Sequence, residues 1–199
     1  MVSQPDTPHQ APIPGTAVEI RAIEQLLKNR NIPSLLMESS QATIDQTIKK
    51  METYSFVHFA CHASQNTIEP LKSGFELYNG RLELSAIIQK QLVGAELAFL
   101  SACQTSTGDE TLSEEAVHLA AGMLAAGYRG AVATMWSISD HYAPQVAETF
   151  YTELMEGQDG LNVDHAARAL HCATQKLREM IGDSESALLV WVPYVHFGV

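Results

Sequence analysis

Two residues in this chain have the side chains and the setting for nucleophilic catalysis. The run Tyr54-Ser-Phe-Val-His-Phe-Ala60 leads into Cys61-His62-Ala63-Ser64, and Ala95-Glu-Leu-Ala-Phe-Leu-Ser-Ala102 leads into Cys103-Gln104-Thr105. A cysteine nucleophile needs a nearby imidazole to take its proton and later protonate the leaving amine. It also needs backbone N–H groups to hold the oxyanion. His62 and Cys103 lie 41 residues apart, His first. If the two runs are neighbouring parallel strands, both residues leave the sheet at the same edge.

The elements that must position them follow a β/α alternation. Residues 16–30 place Val18, Ile20, Ile23, Leu26 and Leu27 at helical spacing behind a Thr16 cap. A short strand is expected over 34–37 and a helix over 41–53. Residues 54–60 and 95–102 are β-rich strands, and Asn79-Gly80 marks a hairpin turn between FELY and RLEL. Residues 85–92 suggest a short helix. Residues 111–126 form a helix with a Thr111/Glu114 capping box and a stop at Gly127. A strand over 130–136, helices over 141–156 and 161–181, and a last strand over 192–197 complete the pattern. Such alternation predicts an α/β fold, a mainly parallel central sheet with helices on both faces. Working residues of such sheets collect at the C-terminal ends of the strands.

Composition narrows the function. At 199 residues the chain suits one domain, 16–199, behind a flexible, Pro-rich lead-in over 1–15 that holds four of the eight prolines. Twelve Lys and Arg against 23 Asp and Glu give −11, which argues against nucleic-acid binding. No apolar run is long enough to span a membrane and no secretory signal is visible. Three cysteines form no disulfide framework, so a reducing, cytoplasmic setting is expected. A zinc site from Cys61, His62 and Cys103 lacks both a Cys-x-x-Cys spacing and a fourth ligand. The proposed chemistry needs no metal and no cofactor.

Four segments in order, FVHFACHA, AFLSACQT, TMWSISD and WVPYVHFG, resemble the CHAT domain, with wording closest to fungal members. The resemblance covers about Val18 to Gly198. It implies a caspase-like three-layer sandwich and a separase-like cysteine peptidase, of a kind often fused to TPR repeats and linked to cell death or defence signalling. Carried over residue by residue, it makes His62 and Cys103 the catalytic pair. The backbone N–H groups of Cys103 and Ala63 become the oxyanion donors. Asp140, which closes Trp-x-x-x-Asp, receives an arginine before the cut. The implied partners are a protein or peptide substrate and a TPR-containing or other regulatory chain.

The family usually has Gly where this chain has Ala63. A positive φ there would cost Ala what Gly avoids. The alternative function is therefore a catalytically impaired interaction module. Other residues have blander roles. His58 is expected to be a hydrogen-bonded core histidine, Cys61 a buried thiol facing away from His62, and Cys172 a core residue. Trp136 is either a pocket wall or a core aromatic. Asp140 could instead cap the helix that follows it. Between Asp109 and Asp159 nine acidic residues stand against Arg129 alone, which would draw a basic substrate segment. Asp109 and Glu110 either line the cleft or keep the loop after Cys103 soluble. No Lys or Arg occurs between Cys103 and Arg129, so an intact single chain is expected rather than one cut at a basic site there.

Overall fold

The computed structural model describes residues 1–8, 10–66, 68–104, 115–157 and 160–199. Its strands are β1 (Val2–Ser3), β2 (Met37–Glu38), β3 (Phe56–Ser64), β4 (Gly74–Leu77), β5 (Gly80–Glu83), β6 (Leu97–Gln104), β7 (Gly130–Thr134) and β8 (Tyr194–Gly198). Its helices are α1 (Gly15–Asn29), α2 (Ile44–Met51), α3 (Leu84–Ile88), α4 (Glu115–Ala125), α5 (Ala143–Leu154), α6 (Ala166–Ile181) and α7 (Glu185–Trp191).

The strands form one sheet in the order β2-β1-β3-β6-β7-β8. The pairings from β2 through β7 are parallel, and β8 is antiparallel to β7. The β4–β5 hairpin, turned at Asn79-Gly80, joins the C-terminal end of β3 antiparallel. Helices cover both faces. One face packs Val57, Phe59, Leu100 and Ala131 against the layer holding Met51, Ile87 and Met123. The other packs Ala60, Phe99 and Val132 against Ile23 of α1, Phe150 of α5 and Leu170 of α6. The result is the caspase-like three-layer sandwich, with strands apolar on both sides because both sides are covered.

Local chemistry sets many boundaries. Thr43 caps α2 by accepting from Gln46 N–H, and Ser184 caps α7 by accepting from Ala187 N–H. Gly127 ends the α4 segment at φ +115°, in the left-handed region that favours glycine. The Thr111/Glu114 capping box lies outside the described residues.

Several expectations differ from the structure. The strand expected over 34–37 shrinks to Met37–Glu38. The helix α7 lies between α6 and the last strand, where no element was expected. Thr16 does not cap α1: it lies inside the helix, whose first residue is Gly15 and whose N-cap residue is Pro14. Val18 points outward at 60% exposure while Glu19 takes the inward place. Several residues of the expected lead-in are tied into the fold. Val2–Ser3 pair with both β2 and β3, Gln4 N–H donates to Ala60 O, and Ile13 is buried. The prolines there remove donors without preventing these bonds, because the donating N–H groups belong to other residues.

Candidate functional site

β3 and β6 are parallel neighbours, and their register pairs His62 with Cys103 and Ala63 with Gln104. Adjacent strands lie about 4.8 Å apart, so the two backbone positions are side by side. Both residues sit inside the last residues of their strands rather than in turns beyond them. For His62 the reason is β4, which pairs with Ala63 and Ser64 and so extends β3; for Cys103 it is the pairing of β6 with β3 as far as Gln104. The side chain of Cys103 lies outside the described residues.

His62 is buried at 3% exposure. Its Nε2 lies 2.8 Å from the Ala11 carbonyl oxygen. A carbonyl can only accept, so Nε2 carries the proton. The other nitrogen, Nδ1, is buried with no hydrogen-bond partner among the described residues. In the neutral ring that nitrogen holds the lone pair. The tautomer is thus set by the N-terminal segment, which leaves the basic nitrogen open.

Ala63 is in regular strand conformation. Among the described residues, the non-glycine positions with positive φ are Asn31, Ser39 and Gln91, and Ala63 is not one of them. The steric cost that Ala would bear at positive φ therefore does not arise. Its N–H lies in the sheet plane, with β4 and β6 on either side.

Asp140 caps a helix, but not the one that follows it. The N-cap of α5 is Tyr142, with no side-chain bond. Asp140 Oδ2 instead accepts the Gly15 N–H at 2.9 Å, at the start of α1, 125 residues away. A carboxylate at a helix N-terminus meets both an unpaired donor and the positive end of the dipole. A Cβ on Gly15 would come within 2.2 Å of the Asp140 carbonyl oxygen, so the approach needs glycine. The structure therefore joins Asp140 to the segment that holds His62.

Beneath the pair lies a buried polar network. Glu19 Oε1 sits 2.8 Å from His58 Nε2, and Glu19 Oε2 accepts from Ser101 Oγ at 3.0 Å. His58 Nδ1 lies 3.2 Å from the Tyr151 hydroxyl, and the ring stacks on Phe99 at 4.7 Å. Burial and the neighbouring Glu19 charge push the Tyr151 hydroxyl well above the usual phenol range. His58 is the hydrogen-bonded core histidine expected. No motif marks a role for Glu19 or Ser101. The available signal was spacing: 16, 19, 20, 23 and 27 share one helical face, which puts a glutamate on the inward side.

The remaining candidates have structural settings. Cys61 is buried in the cluster on the opposite face from His62. Cys172 is half-buried beside Glu153 rather than in the core. Trp136 is half-buried and donates to Leu189 O at 2.8 Å, which ties α7 to the segment after β7. Asp109 and Glu110 lie outside the described residues. A cavity of about 230 Å³ lies at the opposite end of β3, lined in part by Phe56, His58 and Tyr151.

A parallel sheet between two helical layers, with His and Cys in register at the ends of its central strands, defines the caspase-like, peptidase-related class. The family model for the CHAT domain matches residues 1–199, and the chain belongs to that family. No curated protein matches it. Among the described residues, no helix is long and apolar enough to cross a membrane.

Proposed function

We propose that the protein is a cysteine endopeptidase in which His62 and Cys103 act as a dyad. The observation that carries this is the register of His62 with Cys103, together with an imidazole whose Nε2–H is already taken by Ala11 O. Nδ1 accepts the thiol proton, and the thiolate attacks the peptide carbonyl. The N–H of Cys103 holds the resulting oxyanion, and that of Ala63, set in the sheet plane between β4 and β6, joins it only by leaving the strand ladder. Collapse breaks the C–N bond, and the imidazolium gives its proton to the leaving amine. Water then attacks the thioester, with its proton passing to Nδ1, and the acyl product leaves with the thiol restored.

The preferred residue before the cut is basic, with Arg favoured. The acidic excess over residues 109–159 supports this, and so does Asp140, of which one oxygen is bonded to Gly15. The substrate is a specific protein that binds as an extended segment, under control of a separate regulatory chain, TPR-containing or otherwise. A reducing compartment such as the cytoplasm suits a thiol nucleophile. The rival reading, an impaired interaction module, rested on Ala63, and the regular strand at that residue removes its steric basis.

The test is a set of fluorogenic peptides ending in Arg, Lys, Asp or Leu, run beside Cys103→Ala and Asp140→Ala. Cleavage after Arg that both substitutions abolish supports dyad and pocket together. Cleavage after Leu that survives Asp140→Ala keeps the dyad and removes the pocket. Failure of a thiol-reactive probe to label Cys103 in the native protein would count against the enzyme altogether.

A further inference from the structure

One buried carboxylate takes no part in that chemistry. Glu19 is 1% exposed on the inward face of α1, among Thr16, Ile20, Ile23 and Leu27. Burying a carboxylate is costly unless both oxygens are bonded, and packed apolar residues often serve stability as well. The two oxygens of Glu19 go to different strands. Oε1 takes the Nε2–H of His58, which lies in β3 four residues before His62. Oε2 takes the hydroxyl of Ser101, which lies in β6 two residues before Cys103. A single side chain thus pins α1 to both strands of the dyad.

α1 in turn holds the segment that sets the His62 tautomer. Thr16 Oγ1 donates to Ile13 O at 2.8 Å, and Ile13 N–H donates to Pro5 O at 2.9 Å. Ala11, two residues before Ile13, supplies the carbonyl that meets His62 Nε2. Where α1 sits on the sheet therefore decides where that carbonyl sits.

We propose that Glu19 is a positioning residue for the dyad: by bridging His58 and Ser101 it holds α1 so that Ala11 O keeps His62 in the Nε2–H tautomer. The proposal rests on the peptidase reading for its purpose. Its geometry can be tested without turnover.

The full chain is prepared with ¹⁵N-labelled histidine, and His62 is assigned by the signal lost in His62→Gln. In the unaltered protein the imidazole shifts should report protonated Nε2 and bare Nδ1. Glu19→Ala should give a mixture of tautomers. Glu19→Gln should keep the native tautomer, because its amide oxygen accepts from His58 while its NH₂ donates to Ser101 Oγ. Leu177→Ala, a cavity in the same core layer away from this network, should lower the melting temperature but leave the tautomer unchanged. In cleavage assays Glu19→Ala should lower kcat by about 10-fold or more, with KM within about twofold.

A folded Glu19→Ala that keeps the native tautomer overturns the proposal. So does a Leu177→Ala that disturbs the tautomer equally. If Glu19→Ala does not fold, Ser101→Ala severs only the β6 arm and must give the mixture; an unchanged tautomer there overturns the proposal as well. A tautomer shift in a protein with no Cys103-dependent cleavage supports the positioning and removes the peptidase reading alone.

Discussion

The two faces of β3 are made from alternate residues of one strand, yet they are held in different ways. Val57, Phe59, Cys61 and Ala63 enter an apolar cluster, where Phe59 stacks on Phe75 at 4.2 Å and nearly parallel. His58, Ala60 and His62 face the other way, toward Glu19, Tyr151 and the Ala11 carbonyl. The first face gains from area and packing, which have no preferred direction. The second gains from hydrogen bonds, which do. A proton can be held on a chosen nitrogen only on the second face. The strand thus separates the work of staying folded from the work of orienting an imidazole, at intervals of one residue.

That contrast can be broken from either side. The largest effect is expected at the dyad: Cys103→Ala or His62→Ala should lower peptide cleavage by about 10³-fold or more, as initial rates will show. On the apolar face, Phe59→Ala should cost about 3–5 kcal/mol in urea unfolding. Its kcat, measured well below the melting point, should stay close to native, and a changed tautomer or kcat would show that the faces are not independent. His58→Leu keeps the volume but leaves Glu19 Oε1 without its donor, so about 2–4 kcal/mol should be lost by the same unfolding measurement. Asp140→Ala removes the oxygen that accepts from Gly15 N–H, at a cost of about 1 kcal/mol. A fall in cleavage after Arg beyond what that loss explains would add a substrate role.

The smallest effect concerns a third histidine. His196 of β8 is half-buried near Gly130, and its Nε2 has no hydrogen-bond partner among the described residues. Burial lowers its pKa below the ordinary histidine value. The unfolded chain therefore takes up that proton more readily. The contribution is fully present above pH 6.5 and is lost as the pH falls through the lower, folded-state pKa. His196→Gln should flatten the stability profile in that range. A profile unchanged by the substitution would remove His196 as a source of acid sensitivity.

Much of this was legible in the residues. The alternation of β-rich and helical segments gave the layered sheet, and the strands FVHFA and LAFLSA placed His62 and Cys103 at one edge. Asn79-Gly80 marked its hairpin and Gly127 its helix end. The misses share a cause. Val18 looked inward because it is apolar, but the face is set by what packs against it, and that face carries Glu19. Asp140 looked like a cap for the next helix in sequence, and it serves α1 instead. The Pro-rich start looked loose because its own composition offers no periodicity, while its bonding partners lie in β2 and β3.

What the sequence determined by itself was local: which segments are strands, which are helices, and which residue types stand at their ends. Period and capping depend on neighbours a few residues away, so they can be recognised in a single chain. What the tertiary structure decided was every bond across a long separation. Ala11 meets His62 over 51 residues, Glu19 meets His58 over 39 and Ser101 over 82, and Asp140 meets Gly15 over 125. Closing such loops costs entropy that no local pattern records, and that cost is repaid only when the layers pack and desolvate the polar groups together.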